Sequence, residues 1–172
     1  MRWEALFSDL EGQLGSARDE QWRTEVSERT RGERAAIDLP SRIAAARGSS
    51  LALELADGES VTGVVEDTAR GWLLVVDATA REHLVPMHAV AVVRGLTGSA
   101  HHITEVERRL GLSHALRALS RDRARVRVRT TGGEVHGVIA AVLADHMDVA
   151  TDVADRRRVS VPFAAILEVV SA

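Results

Sequence analysis

The stretch DGESVTGVVEDTARGWLLVV, residues 57–76, returns in altered form as TGGEVHGVIAAVLADHMDVA, residues 131–150. Shifted by 74 positions, Gly58 falls on Gly132, Val61 on Val135, Gly63 on Gly137, Val64 on Val138 and Val75 on Val149. A two-residue insertion in the next loop then brings Pro86 onto Pro162, Val90 onto Ile166 and Val93 onto Val169. Self-similarity at a fixed offset marks a duplicated structural unit. The chain is therefore expected to build one small β unit twice.

Within the first copy, Leu51, Leu53, Leu55 and then Val61 alternate with polar residues around the turn pair Asp57-Gly58, the pattern of a half-buried hairpin. Five short strands fit, at about 50–56, 59–68, 71–77, 81–86 and 88–94, and five more fit the second copy. Such closely spaced strands suggest a small barrel. A short helix precedes each set: LPSRIAAARG, with Pro40 in its first turn and Gly48 after its end, and LSHALRALSRD, residues 112–122. Gly63 and Gly137 fall in the middle of the long second strand of each copy, where a glycine permits a sharp bend and close backbone approach.

The first 36 residues read as a helical hairpin. Trp3, Leu6, Phe7, Leu10 and Leu14 recur at spacings of three and four, one face of a helix that Gly15 ends. Ser16 then caps a second, highly charged helix whose apolar stripe is little more than Trp22 and Val26. The expected organisation is a hairpin over 1–36, a first barrel over 37–95, a linker with a helical turn or two over 96–111, and a second barrel over 112–172. A lone barrel of this size leaves strand edges open, and a tandem copy can cover them inside one chain.

The order helix, strand, DG turn, glycine-bent strand and then ADHMDV before a hydrophobic strand resembles the Sm-like fold, a small SH3-type barrel with an N-terminal helix. The whole chain resembles an actinobacterial family of unassigned function with a helical hairpin and twin barrels. The first Sm-like motif places an Asp, a Met or Leu and an Asn around this turn; here Asp145 and Met147 match, and Asp148 stands where the Asn would be. The first copy, ARGWLLV, keeps neither the Asp nor the Asn. The second motif, an Arg-Gly or Lys-Gly pair, is replaced by Val161-Pro162 and Val85-Pro86. The resemblance thus implies the fold and not the uridine-type RNA recognition of those positions.

Composition narrows the chemistry. The chain has no cysteine, which removes disulfide scaffolds, thiolate metal sites and cysteine nucleophiles. No run of about 18 apolar residues suggests a membrane span, and MRWEALFSDLEGQL carries acids among its apolar positions, unlike a secretory signal. A cytoplasmic location with no membrane partner is the expectation. All 22 basic residues are arginine, and lysine, asparagine and tyrosine are absent, a bias expected from a GC-rich genome. Residues 1–95 carry a net charge of −5 and residues 96–172 a net charge of +2.

No catalytic constellation emerges, and the expectation is a protein that is not an enzyme and takes no cofactor or metal. His101 and His102 lie in the linker with Glu105 and His114 beyond, without paired metal-ligand spacing. His83 and His88 flank Pro86, and alternation puts His136 on the face opposite Val135. There is no G-x-S-x-G, and Ser113 and His114 are helix neighbours that point apart. No phosphate-binding glycine loop occurs either.

Two surfaces remain. The apolar face of Trp3, Leu6, Phe7 and Leu10 suits docking of a protein partner or self-association, the basis for expecting a non-catalytic adaptor or scaffold. The alternative is RNA or DNA binding. Arg121 and Arg123 lead into Arg125, Arg127 and Arg129, which alternate with Val126 and Val128 and so form a row about 6 to 7 Å apart on one strand face. Arg156, Arg157 and Arg158 add a basic loop, and guanidinium forks grip phosphate oxygens well. The competing reading leaves this face simply solvated, or pairs it with the acidic first half of the chain. With Trp72 and Phe163 assigned to the core or an interface, the stacking aromatics usual in single-strand binders are nearly absent. A third reading is an enzyme regulator or small-ligand binder with a site between the barrels.

Overall fold

The computed structural model describes Trp22 and residues 35–101, 103–151 and 157–171. The chain divides into two units, Met1–Ile37 and Asp38–Ala172. In the first, Trp22 and residues 35–37 alone are described, so Trp3, Leu6, Phe7 and Leu10 lie outside the described residues.

The second unit opens on Asp38, whose carboxylate accepts a hydrogen bond from the Ser41 N–H at 3.0 Å and caps helix α1 (Leu39–Ala45). Pro40 occupies the first turn, where its missing N–H costs nothing. Five strands follow: β1 (Ser50–Leu55), β2 (Ser60–Ala69), β3 (Trp72–Val76), β4 (Glu82–Pro86) and β5 (Val90–Arg94). Helices α2 (Glu105–Arg109) and α3 (Leu112–Asp122) lead to β6 (Arg125–Thr130), β7 (Gly133–Val142), β8 (His146–Thr151), β9 (Arg158–Pro162) and β10 (Ile166–Ser171). The fifth strand starts two residues later than expected. After Pro86 the chain makes a 3-10 turn, Met87–Ala89, and the second copy repeats it at Phe163–Ala165.

The strands form one antiparallel sheet in the order β5-β1-β2-β3-β4-β10-β6-β7-β8-β9. This differs from the expected pair of five-stranded barrels, because the sheet is open and runs through both copies. Its junction is β4 against β10, with Val169 opposite Leu84 and Val170 opposite His83. The fourth strand of the first copy and the fifth of the second each have a free backbone edge, and each satisfies the other's N–H and C=O groups.

The duplication is visible in detail. Both long strands carry a bulge at matching places, between Val65 and Asp67 and between Ile139 and Ala141. A Cβ on Gly63 would lie 2.2 Å from the Val76 carbonyl oxygen, and one on Gly137 would lie 2.1 Å from that of Ala150. These are the same contact in the two copies, and only glycine allows it. Registers of Leu51 with Gly63 and of Val126 with Gly137 show that Val126 answers Leu51. The offset on the first strand is one greater than on the second, so the second hairpin turn is one residue shorter.

Each copy has its own apolar cluster, yet each cluster borrows from the other. Leu167 of β10 joins Ile43, Leu51, Leu53, Val65 and Leu73, while Ala69, Trp72 and Leu84 join Leu116, Val126, Ile139, Met147 and Ile166. As a result β10 is buried at every position from Ile166 to Val170. That run includes a carboxylate, Glu168, at 1% exposure.

Candidate functional site

Alternation along β6 buries Val126 and Val128 and turns Arg125, Arg127 and Arg129 to the other face, as the spacing predicts. The face they occupy is not a free cationic row. Register sets Arg129 opposite Glu168 of β10, and Arg129 Nη2 donates to Glu168 Oε2. Arg129 Nη1 stands 3.6 Å from both Asp57 Oδ2 and Glu59 Oε2, at the first copy's DG turn. Arg127 pairs with Glu134 at 3.4 Å and approaches Glu168 at 3.8 Å. Arg125 also has interactions of its own.

Glu168 is held from the first copy as well. His83 of β4 places Nδ1 2.7 Å from Glu168 Oε1 and Nε2 3.1 Å from Asp77 Oδ2. Asp77 is itself set by its loop: its Oδ1 accepts from the Thr79 hydroxyl and from the backbone N–H groups of Thr79 and Arg81, at 2.7 to 3.0 Å. Those bonds, first the one from the Arg81 N–H, hold its carboxyl far below the usual range. His83 Nε2 adds to the same effect. Both imidazole nitrogens thus face carboxylates, leaving neither for a metal or a substrate.

An open cleft of about 420 Å³ lies over this seam, lined by Asp57, Glu59, Arg127, Arg129 and Glu134. Arg129 Nε, also there, is buried with no hydrogen-bond partner. Five carboxylates, those of Asp57, Glu59, Asp77, Glu134 and Glu168, stand against two guanidinium groups and one imidazole in this network. A phosphate entering there meets a surplus of its own charge.

The other basic residues are dispersed. Arg121 Nε turns back to the Arg117 carbonyl of its own helix, and Arg123 forms the left-handed C-cap of α3 at φ 49°. Arg157 and Arg158 are exposed before and at the start of β9, at the far end of the sheet order from β5, while Arg156 and His102 lie outside the described residues. His101, His114 and His136 are exposed. His88 Nε2 donates to the Ile166 carbonyl oxygen, 3.0 Å away, a further tie between the copies.

Trp72 is buried, with its indole N–H donating to the Leu110 carbonyl at 2.9 Å, and Phe163 packs on the second core. Beside Trp72, a mainly apolar cavity of about 360 Å³ opens between β3, β4 and α3, with Leu74, Leu84, Leu110 and Leu119 in its wall. Trp22, in the first unit, is 68% exposed.

Among the described residues, the sheet ends in two edge strands, each paired on one side only. Of the strands in the sheet, β5 pairs with β1 alone and β9 with β8 alone. Each exposes a valine, Val92 at 39% and Val159 at 37%. Sequence reasoning missed the Glu168 network and these edges. The first had a signal, an acid inside the apolar run AAILEVV. The second needed the strand order.

No protein-family model, no curated protein and no solved structure matches this chain.

Proposed function

We propose that the protein is a non-catalytic adaptor or scaffold built on two tandem Sm-like barrels of the SH3 type. Support for the barrel reading comes from the shared strand order, the matched bulges and the glycine approaches at Gly63 and Gly137. The first strand of each copy, β1 or β6, pairs on both sides, and the 3-10 turn after the proline redirects the chain from the fourth strand to the fifth. The N-terminal face of Trp3, Leu6, Phe7 and Leu10 remains a proposed partner surface, for a protein or for self-association.

One observation carries the preference for protein over nucleic acid as partner. Arg127 and Arg129, the centre of the basic row, are engaged by Glu134, Glu168, Asp57 and Glu59. Guanidinium groups already neutralised by carboxylates release few counterions on meeting phosphate, and counterion release drives most sequence-independent binding. Strand edges such as those of β5 and β9, which have a strand on one side only among the described residues, are by contrast standard templates for protein contacts.

The test is a titration of labelled single-stranded RNA and double-stranded DNA with purified protein at low and physiological salt. We expect no binding at physiological salt. Binding that persists there and disappears when Arg125, Arg127 and Arg129 are changed to serine, in a variant that still folds, overturns the adaptor reading in favour of nucleic-acid recognition.

A further inference from the structure

Helix α3 belongs to the second copy and strands β3 and β4 to the first, and the cavity of about 360 Å³ beside Trp72 lies where they face each other. Its helical wall is one stripe of α3: His114, Ala118 and Asp122 recur at four-residue spacing, with Ala115 and Leu119 beside them. Two of those five side chains are alanines, too short to fill the space in front of Trp72 and Leu84. Leu74, Leu110, Ala115 and Leu119 pack on the second core yet are only partly buried, so the gap is apolar inside. Its volume falls within the range of small-molecule pockets, about 300–1,000 Å³.

The rim of this cavity is acidic. Asp67, Glu82 and Asp122 line it, from β2, β4 and α3, and no arginine does, although arginine supplies all 22 basic residues of the chain. Asp67 is paired with Arg47 at 3.1 Å. Glu82 and Asp122 are exposed and have no ion-pair partner among the described residues. Their sequence neighbours Arg81, Arg121 and Arg123 stay out of the lining, and Arg121 turns to the Arg117 carbonyl. We infer that the cavity binds a small organic cation, an alkyl or arylalkyl amine, with its apolar body against Trp72 and Leu84 and its ammonium group between Glu82 and Asp122. An anion would meet uncompensated carboxylates there, and a neutral molecule would leave them unused, whereas ammonium-to-carboxylate hydrogen bonds are charge-assisted. One wall comes from each copy, so such a ligand fastens the seam. The strands that answer β3 and β4 in the second copy are β8 and β9, and among the described residues no third helix follows them. The site therefore occurs once per chain.

Isothermal titration calorimetry of the purified protein with phenylbutylamine, phenylbutanol and phenylbutanoate tests this. At low salt the amine should saturate at one molecule per chain and bind about tenfold tighter than the alcohol, and the carboxylate should not bind. High salt should narrow the gap between amine and alcohol. Glu82→Gln combined with Asp122→Asn, both at exposed positions, should lower the amine to the affinity of the alcohol and leave the alcohol unchanged. Ala118→Phe carries a ring into the cavity from an exposed position on α3, and should abolish binding of both with an unchanged circular dichroism spectrum. No saturable binding of the amine, equal affinities for amine and alcohol, or a preference for the amine that survives the double variant would each overturn the inference. So would amine binding to a folded Ala118→Phe protein. The result is independent of the adaptor reading, which the nucleic-acid titration decides.

Discussion

His83 Nδ1 lies 2.7 Å from Glu168 Oε1, across the junction between the two copies and 85 positions apart in the chain. This contact, with Arg129 on the other carboxylate oxygen, fastens two β units whose backbones meet along only a short strand pairing.

Removing the Glu168 carboxylate leaves Arg129, a largely buried guanidinium, without its main partner. Glu168→Ala is expected to cost about 3–5 kcal/mol, the usual loss when one member of a buried ion pair is deleted. Urea denaturation measures it. Replacing the set together, as Glu168→Leu with Arg129→Met and His83→Leu, should recover most of that loss, because no charge is then left buried. A triple variant no more stable than Glu168→Ala would show that the network does more than balance its own charges.

Gly63→Ala and Gly137→Ala should each destabilise by at least about 3 kcal/mol, the upper part of the range for overpacking. Each new methyl group meets a backbone carbonyl that cannot move without breaking the neighbouring strand. Gly58→Ala is the control. Its φ of 84° carries a cost of about 1 kcal/mol for an L residue, but open space surrounds it. Denaturation midpoints should order the three variants accordingly.

Acid should weaken the fold, beginning near pH 4. Folded-state values are lowered for Asp77 by its loop N–H groups, for Asp38 by the Ser41 cap, for Glu107 by Thr104 and for Asp145 by His146. A carboxylate with a lowered folded value stabilises fully above its unfolded value of about 4, and that contribution is lost as the pH falls toward the folded value. Urea midpoints measured from pH 7 to pH 3 should fall with acidity. In Asp77→Asn the fall should be smaller, since one of the groups that drives it is gone.

Trp72→Phe keeps the ring in the second core but deletes the indole N–H that reaches the Leu110 carbonyl. A loss of about 1 kcal/mol is expected for one such hydrogen bond. Thermal unfolding should report it as a lowered midpoint with no change in the far-ultraviolet spectrum.

Much of the architecture was legible in the chain, because strand periodicity, turn chemistry and glycine bends act over a few residues. Leu51, Leu53 and Leu55 alternate inward, Asp57-Gly58 turns the chain, and Gly63 and Gly137 mark where a strand passes close to its neighbour. The duplication itself needed only comparison of the chain with itself. What the residues could not disclose locally was which strand edges meet. Backbone N–H and C=O groups are the same in every strand, so nothing in the sequence of β4 names β10 as its partner rather than β5. That choice set the rest. It buried Glu168, brought Asp57 and Glu59 to Arg129, turned a predicted basic row into an ion-paired seam, and left β5 and β9 as the sheet's two open ends.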